Sequence, residues 1–205
     1  MHTVVSVGVD IKSEKTLGLV GSVLAIVGGF TGVIPYVGVF MGTVSLVGAI
    51  LVLVALKGIG DKVGDDRPFK YYLYSIVVAF VGSVIAVIFI VVGALSLSNA
   101  TIAGMRAFEH PWGIFGTGML IFGFLAFIAV LILGVYFAKQ AWEAMYEITG
   151  VDEFQSTAKW LWWGALTAII LVGFILLLVA AVYQIIGFAN LPEELETATP
   201  ANVAP

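Results

Sequence analysis

Charged side chains leave long gaps along this chain: Thr16–Leu56, Tyr71–Met105, Pro111–Ala138 and Trp160–Pro192 carry none. A helix needs roughly 20 apolar residues to cross a hydrocarbon core of about 30 Å. The last three runs therefore hold one span each, and the first is long enough for two. Its punctuation divides it. Gly28, Gly29 and Gly32 weaken a helix end, and Pro35 restricts the residue before it and suits the first turn of a new helix. The pattern predicts a tight hairpin between span one, about 13–30, and span two, 36–56. Span three covers about 69–97, span four 111–138 and span five about 159–190. Helical periodicity runs on past span four through Lys139, Trp142, Glu143, Tyr146 and Glu147 until Gly150, which can take a left-handed cap. Asp152 followed by Gln155 reads as a capping box that opens the next helix. Helices four and five are thus expected to extend beyond the membrane as a helical hairpin.

Five spans put the N-terminus, the 57–70 loop and the 139–159 segment on one side. That side collects Lys12, Lys15, Lys57, Lys62, Arg67, Lys70, Lys139 and Lys159, against Arg106 alone on the other. Basic loops stay in the cytoplasm, so the N-terminus is expected inside and the C-terminus outside. Reading 17–56 as one kinked span would place four of these basic residues outside, and is rejected. Tyr71, Tyr72 and Tyr74 open span three, and Trp160, Trp162 and Trp163 open span five, at headgroup depth on the same side. The expected organisation is a cytoplasmic segment 1–15, a five-helix transmembrane domain 16–191 and an acidic, Thr/Ala/Pro-rich external tail 192–205, flexible by composition. Residues 1–15 lack the basic n-region of a cleavable signal.

Composition narrows the function classes. Of 205 residues, 61% are hydrophobic and 11% charged, where soluble domains carry about 25% charged residues. A soluble enzyme, a nucleic-acid-binding domain and a disordered chain are excluded. Cysteine is absent, which removes disulfides and thiolate chemistry. The net charge of −4, without a basic cluster, argues against nucleic-acid partners. Proton relays and ion pathways need ionisable groups at membrane depth, and the charge-free runs that form the middles of the five spans contain no Asp, Glu, Lys, Arg or His. Glu143 with Glu147, and Asp61 with Asp65 and Asp66, read as solvated faces rather than metal sites. His2 and His110 fall on opposite sides in this topology. Known catalytic and nucleotide-binding motifs are missing. Hence no catalytic residue, cofactor or metal is expected.

Two kinds of candidate remain. Gly38 and Gly42 form a GxxxG pair in span two, extended by Ser45 and Gly48. Gly18, Ser22 and Ala25 do the same in span one, and Gly164 with Ala168 in span five. Small residues let helix backbones approach closely where lipid supplies no hydrophobic drive, either within one bundle or between subunits. Asn99-Ala100-Thr101 is a glycan-acceptor triplet, expected in an external loop.

Order and spacing of several short elements carry a resemblance over about 17–191. They are Leu17-Gly18 with Gly21, Pro35-Tyr36-Val37-Gly38, Ala55-Leu56-Lys57 leading to Asp61-Lys62, and Phe69-Lys70 with Tyr72. Thr149-Gly150-Val151-Asp152 with Phe154 and Leu171-Val172-Gly173-Phe174 complete the set. The chain resembles a mainly archaeal family of small multi-spanning membrane proteins classed as a domain of unknown function. The resemblance implies architecture and an archaeal source, and no activity. The reading is a non-enzymatic multi-pass protein of the cell membrane, a structural or accessory subunit of a homo-oligomer or larger complex. The alternative is a passive channel or carrier for small neutral solutes, lined by hydroxyls and carbonyls.

Overall fold

The computed structural model of the protein describes residues 6–31, 37–102, 110–168 and 172–198. Among them are six α-helices and one two-stranded sheet. In chain order these are β1 (Ser6–Asp10), α1 (Lys12–Thr31), α2 (Val37–Val63), α3 (Arg67–Ile102), α4 (Pro111–Thr149), α5 (Asp152–Thr167), α6 (Val172–Asn190) and β2 (Glu194–Ala198). The fold is almost entirely helical, and among the described residues four helices, α2, α3, α4 and α6, contain stretches long and apolar enough to cross a membrane.

Local chemistry explains where the helices stop. Gly64 (φ +81°) ends α2, its amide and that of Asp65 both donating to the Gly60 carbonyl at 2.8 and 3.0 Å. Gly150 (φ +69°) ends α4 by donating to the Tyr146 carbonyl at 2.8 Å. Both angles lie where a β-carbon is disfavoured. Pro111 takes the first position of α4, where its missing N–H costs nothing. The Asp65 side chain accepts from the Arg67 amide at 3.0 Å as α3 begins. The expected capping box at Asp152 does not form: the N-cap is Val151, in extended conformation and without a side-chain cap. Asp152 sits one position too late, inside the first turn.

The chain divides into two compact units. One comprises Met1–Leu73 with Ala138–Pro205, the other Tyr74–Phe137. In the first, α1 and α2 form an antiparallel pair, as do α5 and α6. Phe154 of α5 lies against Gly187 of α6, and Gly164 against Leu177. Helix ends and the sheet converge on one buried core containing Ile11, Leu56, Ile59, Trp142, Phe154, Phe188 and Leu195. The second unit is an antiparallel hairpin of α3 and α4. Gly93 meets the Gly116 carbonyl and Leu120, Phe89 packs on Phe122 at 4.8 Å between centroids, and Tyr74 on Phe137 at 5.7 Å.

Three expectations are corrected. The fifth span is not one continuous helix: α5 and α6 lie antiparallel, Phe154 against Gly187 and Gly164 against Leu177, so that six helices are found among the described residues. The C-terminus does not lie on the opposite face from the N-terminus. β1 pairs antiparallel with β2, from Ser6 opposite Ala198 to Asp10 opposite Glu194, and strands bonded to each other cannot be separated by a bilayer. The Ile11 amide extends the pairing to the Glu193 carbonyl at 2.8 Å. The tail is accordingly not wholly irregular, since Glu194–Ala198 is a strand. The predicted turn around Gly32 and Pro35 lies outside the described residues.

Because the chain has no cysteine, single replacements report sidedness cleanly. Lys12→Cys and Glu193→Cys, whose parent side chains lie 3.5 Å apart, should both react with a membrane-impermeant maleimide from the same face of sealed vesicles. Labelling from opposite faces would be incompatible with the β1–β2 pair.

Candidate functional site

Aromatic packing positions the polar groups of the first unit. The Trp142 ring stacks on Phe154 (5.6 Å, 8°) and meets Phe188 edge-on (5.9 Å, 85°), while Tyr72 closes on Trp142 at 5.7 Å. Trp142, Phe154 and Phe188 are almost wholly buried, and such aromatic pairs contribute about 0.5–1.5 kcal/mol each beyond their buried area. They lock the end of α4 and the starts of α3 and α5 against the end of α6. Gly18 of α1 makes room, because a β-carbon there would overlap the Phe188 ring.

Around this core runs a rim of ion pairs. Lys62 bonds Glu14 at 2.8 Å and the Asp10 carbonyl at 2.8 Å, tying α2 to α1 and β1. Arg67 bridges Asp65 at 2.7 Å and Glu147 at 2.8 Å, tying the start of α3 to the end of α4. Burial works to raise the Glu14 carboxyl, but hydrogen bonds from Lys62, its own backbone and Ser13 prevail and hold it below the ordinary range. The Arg67 side chain lowers Asp65 in the same way, and its two carboxylate partners raise Arg67. Glu143 and Glu147 lie on one face of α4, yet each has its own cation, Lys139 at 2.9 Å and Arg67. No trio of His, Asp and Glu converges as a metal site among the described residues.

A groove of about 410 Å³ opens between α4 and α5. Lys139 and Glu143 line it from α4, and Gln155, Ser156, Lys159, Trp162 and Trp163 from α5. The left-handed Gly150 turn joins α4 to α5, and Lys139 and Lys159 come to line one groove. The sequence pattern puts each lysine and tryptophan near the interface, and the fold brings them to one groove. The available signal was the spacing of Lys139 and Glu143 from Gln155 and Lys159 across the Thr149-Gly150 turn.

The glycine candidates separate into two kinds. Ser45 donates to the Ala25 carbonyl of α1 at 3.0 Å. A β-carbon on Gly48 would collide with the Ala25 amide and come within 2.6 Å of the Gly21 carbonyl. On the α1 side, Gly21 and Gly28 meet the α2 backbone as tightly. Gly42 is exposed, with open space where its β-carbon would point. Gly38 belongs to α2, but its surroundings lie outside the described residues. Ser45 and Gly48 therefore pack within the chain. Ser22, fully buried, donates to the Gly18 carbonyl at 2.7 Å and accepts from Gln184 of α6 at 2.8 Å. Asn99 lies in the last turns of α3 instead of the expected loop, with Thr101 bonded to the Leu97 carbonyl at 3.0 Å. A helical backbone does not offer the open conformation of a loop triplet.

Residues 44–182 match the family described as "Protein of unknown function (DUF996)". The chain belongs to this family. The DUF996 match runs from α2 through most of α6 and includes the α4–α5 groove. The chain is also 28% identical over 188 residues to the uncharacterized protein MJ1644 of Methanocaldococcus jannaschii, covering 92% of this chain and 97% of that one. No solved structure matches it significantly. The archaeal relative and the unknown-function family agree with the resemblance read from the sequence.

Two outcomes follow for this DUF996 protein. Gly48→Leu should lower stability by about 1–3 kcal/mol or more, as overpacking does, and Gly42→Leu should leave it within about 0.5 kcal/mol. Thermal unfolding in detergent reads both, and equal losses would contradict the α1–α2 seam. Lowered carboxyls bind fewer protons folded than unfolded, so their contribution is complete above the ordinary carboxylate range and fades as pH falls through the lowered values. The unfolding midpoint should hold above about pH 5 and drop below about pH 4. Lys62→Met together with Arg67→Met should blunt that drop, whereas a loss on the alkaline side would be contrary.

Proposed function

We propose that the protein is a non-enzymatic multi-pass component of the cell membrane, acting as a structural or accessory subunit of a homo-oligomer or larger complex. One observation carries the reading. The most apolar stretches of α3 and α4 are 11% buried within the chain, against 28% for α2 and 22% for α6. Phe80, Leu95, Ile114, Ile121 and Phe124 stand outward along this hairpin. A hairpin so little covered by its own chain and free of ionisable groups over Tyr71–Met105 and Pro111–Ala138 suits lipid and neighbouring helices. Association between such helices relies on packing and close approach.

Sidedness belongs to the same proposal. Lys12, Lys15, Lys57, Lys62, Arg67, Lys70, Lys139 and Lys159 all sit in the first unit, and the positive-inside tendency favours the cytoplasm for these residues. Both chain termini then face the cytoplasm. The passive-channel reading has less behind it, because hydroxyls that could line a pore are bonded to their own helices. Ser83 donates to the Phe80 carbonyl, Ser96 to Val92, Thr117 to Gly113 and Thr167 to Trp163.

Extraction in native-lipid nanodiscs followed by native mass spectrometry tests the subunit role. Copies of the chain in a defined multiple, or integral proteins in fixed ratio with it, are expected. A lone monomer with no stoichiometric companion would overturn the proposal.

A further inference from the structure

The register of the helices in the first unit places the α4–α5 groove beside a lipid-facing belt. Phe154 opposite Gly187 and Gly164 opposite Leu177 set Lys159 level with Val182 of α6. Gly18 against Phe188 and Ser22 against Gln184 set that same level near Val23 of α1. There, α1 exposes Val20 and Val23, and α6 exposes Val182 and Ile186. Lys159 lies five residues below Phe154, or about 7 Å along the axis at about 1.5 Å per residue. The outermost side chains of α1 and α6 at this depth are aliphatic, yet α5 presents Gln155 and Lys159, and α4 presents Lys139.

Charge in the groove is unbalanced. Glu143 takes Lys139 as its partner at 2.9 Å, while no ion pair to Lys159 is found among the described residues. Two ammonium groups against one carboxylate leave an excess positive charge, in a chain whose net charge is −4. An ammonium beside hydrocarbon is costly unless it snorkels to the interface or meets an anion. Trp162 and Trp163 line the same groove, Trp163 about half exposed, and indole rings favour the depth where glycerol meets acyl chain.

We propose that this groove binds the phosphate of an anionic lipid headgroup. Lys159 and Lys139 supply the countercharge, Gln155 a neutral hydrogen-bond donor, and the two tryptophans flank the first carbons of the lipid. Glu143 orients Lys139 and weakens capture of a multiply charged free anion relative to a singly charged phosphodiester. The site does not depend on the proposed subunit role, since a monomer could hold the lipid as well.

The test is native mass spectrometry of the purified full-length protein, delipidated and titrated with phosphatidylglycerol or phosphatidylcholine. Retention should favour phosphatidylglycerol. Lys159→Gln and Lys139→Gln should each weaken it about fivefold, the effect of about 1 kcal/mol per basic residue near a lipid surface. Lys57→Gln, outside the groove, should not. Unchanged thermal midpoints in the groove variants would show that the fold persists. Should a midpoint fall, Trp163→Phe, which keeps an aromatic but loses the indole N–H, serves as the second variant and should also reduce retention. Equal retention of both lipids, equal losses in the Lys57 variant, or displacement of the lipid by excess inorganic phosphate would overturn the proposal, the last by assigning the groove to a free anion.

Discussion

The antiparallel pairing of β1 with β2 is the constraint on which the architecture rests. It joins the segment before α1 to the segment after α6 through backbone hydrogen bonds, with Ile11 and Leu195 closing the core beneath it. Two strands in one sheet share one face of a bilayer, so every helix that leaves must be matched by one that returns. The antiparallel pairs α1–α2, α3–α4 and α5–α6 each turn the chain back on itself. A single straight fifth span would carry β2 to the wrong face and leave both strand edges unpaired. Isolated strands of five residues gain little alone; these gain from the aromatic core against which they lie.

Different forces hold the ends of the helices and their middles. Near the sheet, helix ends surround Trp142, Phe154 and Phe188, which are buried as in a water-soluble domain, and ordinary hydrophobic burial stabilises them. Farther along, lipid removes that drive, and contact depends on glycine. Gly21, Gly28 and Gly48 allow backbone against backbone in α1–α2, and Gly93 and Gly116 do so in α3–α4. Buried polar atoms are spent locally, as in the Gln184–Ser22–Gly18 chain linking α6 to α1. No buried side-chain nitrogen or oxygen among the described residues lacks a hydrogen-bond partner.

Charge-free runs and glycine punctuation made much of this legible in the sequence. The starts of α1, α3 and α4 fall within a few residues of the spans read from charge alone, and Gly150 ends α4 as its position implied. The α5–α6 reversal was not legible for a physical reason. Turns announce themselves by polarity and by Gly or Pro when they meet water, whereas Ala168-Ile169-Ile170-Leu171-Val172 is apolar throughout. The only local hints are Gly164 and Gly173, which are also what close helix packing requires. Likewise Asp152 with Gln155 has the letters of a capping box, but α5 begins with Val151 as its cap, so the motif is out of register by one. Pairing between segments as distant as 10 and 194 cannot be read from either segment alone.

Uneven membrane depth around one bundle also explains how the groove escaped the same reading. Runs without charge mark a border separately for each helix: Thr16 on α1, Leu56 on α2, Ala138 on α4, Trp160 on α5. Packing then offsets those borders. α5 stays polar as far as Lys159, a level at which α1 and α6 already expose valine. The mismatch could be relieved by sliding α5 outward, but Phe154 between Trp142 and Phe188 fixes its height, and the Phe154 ring fills the space that a β-carbon on Gly187 would need. The aromatic core therefore holds a polar face against hydrocarbon, and a ligand with a charged head and an apolar body would relieve both sides of that conflict.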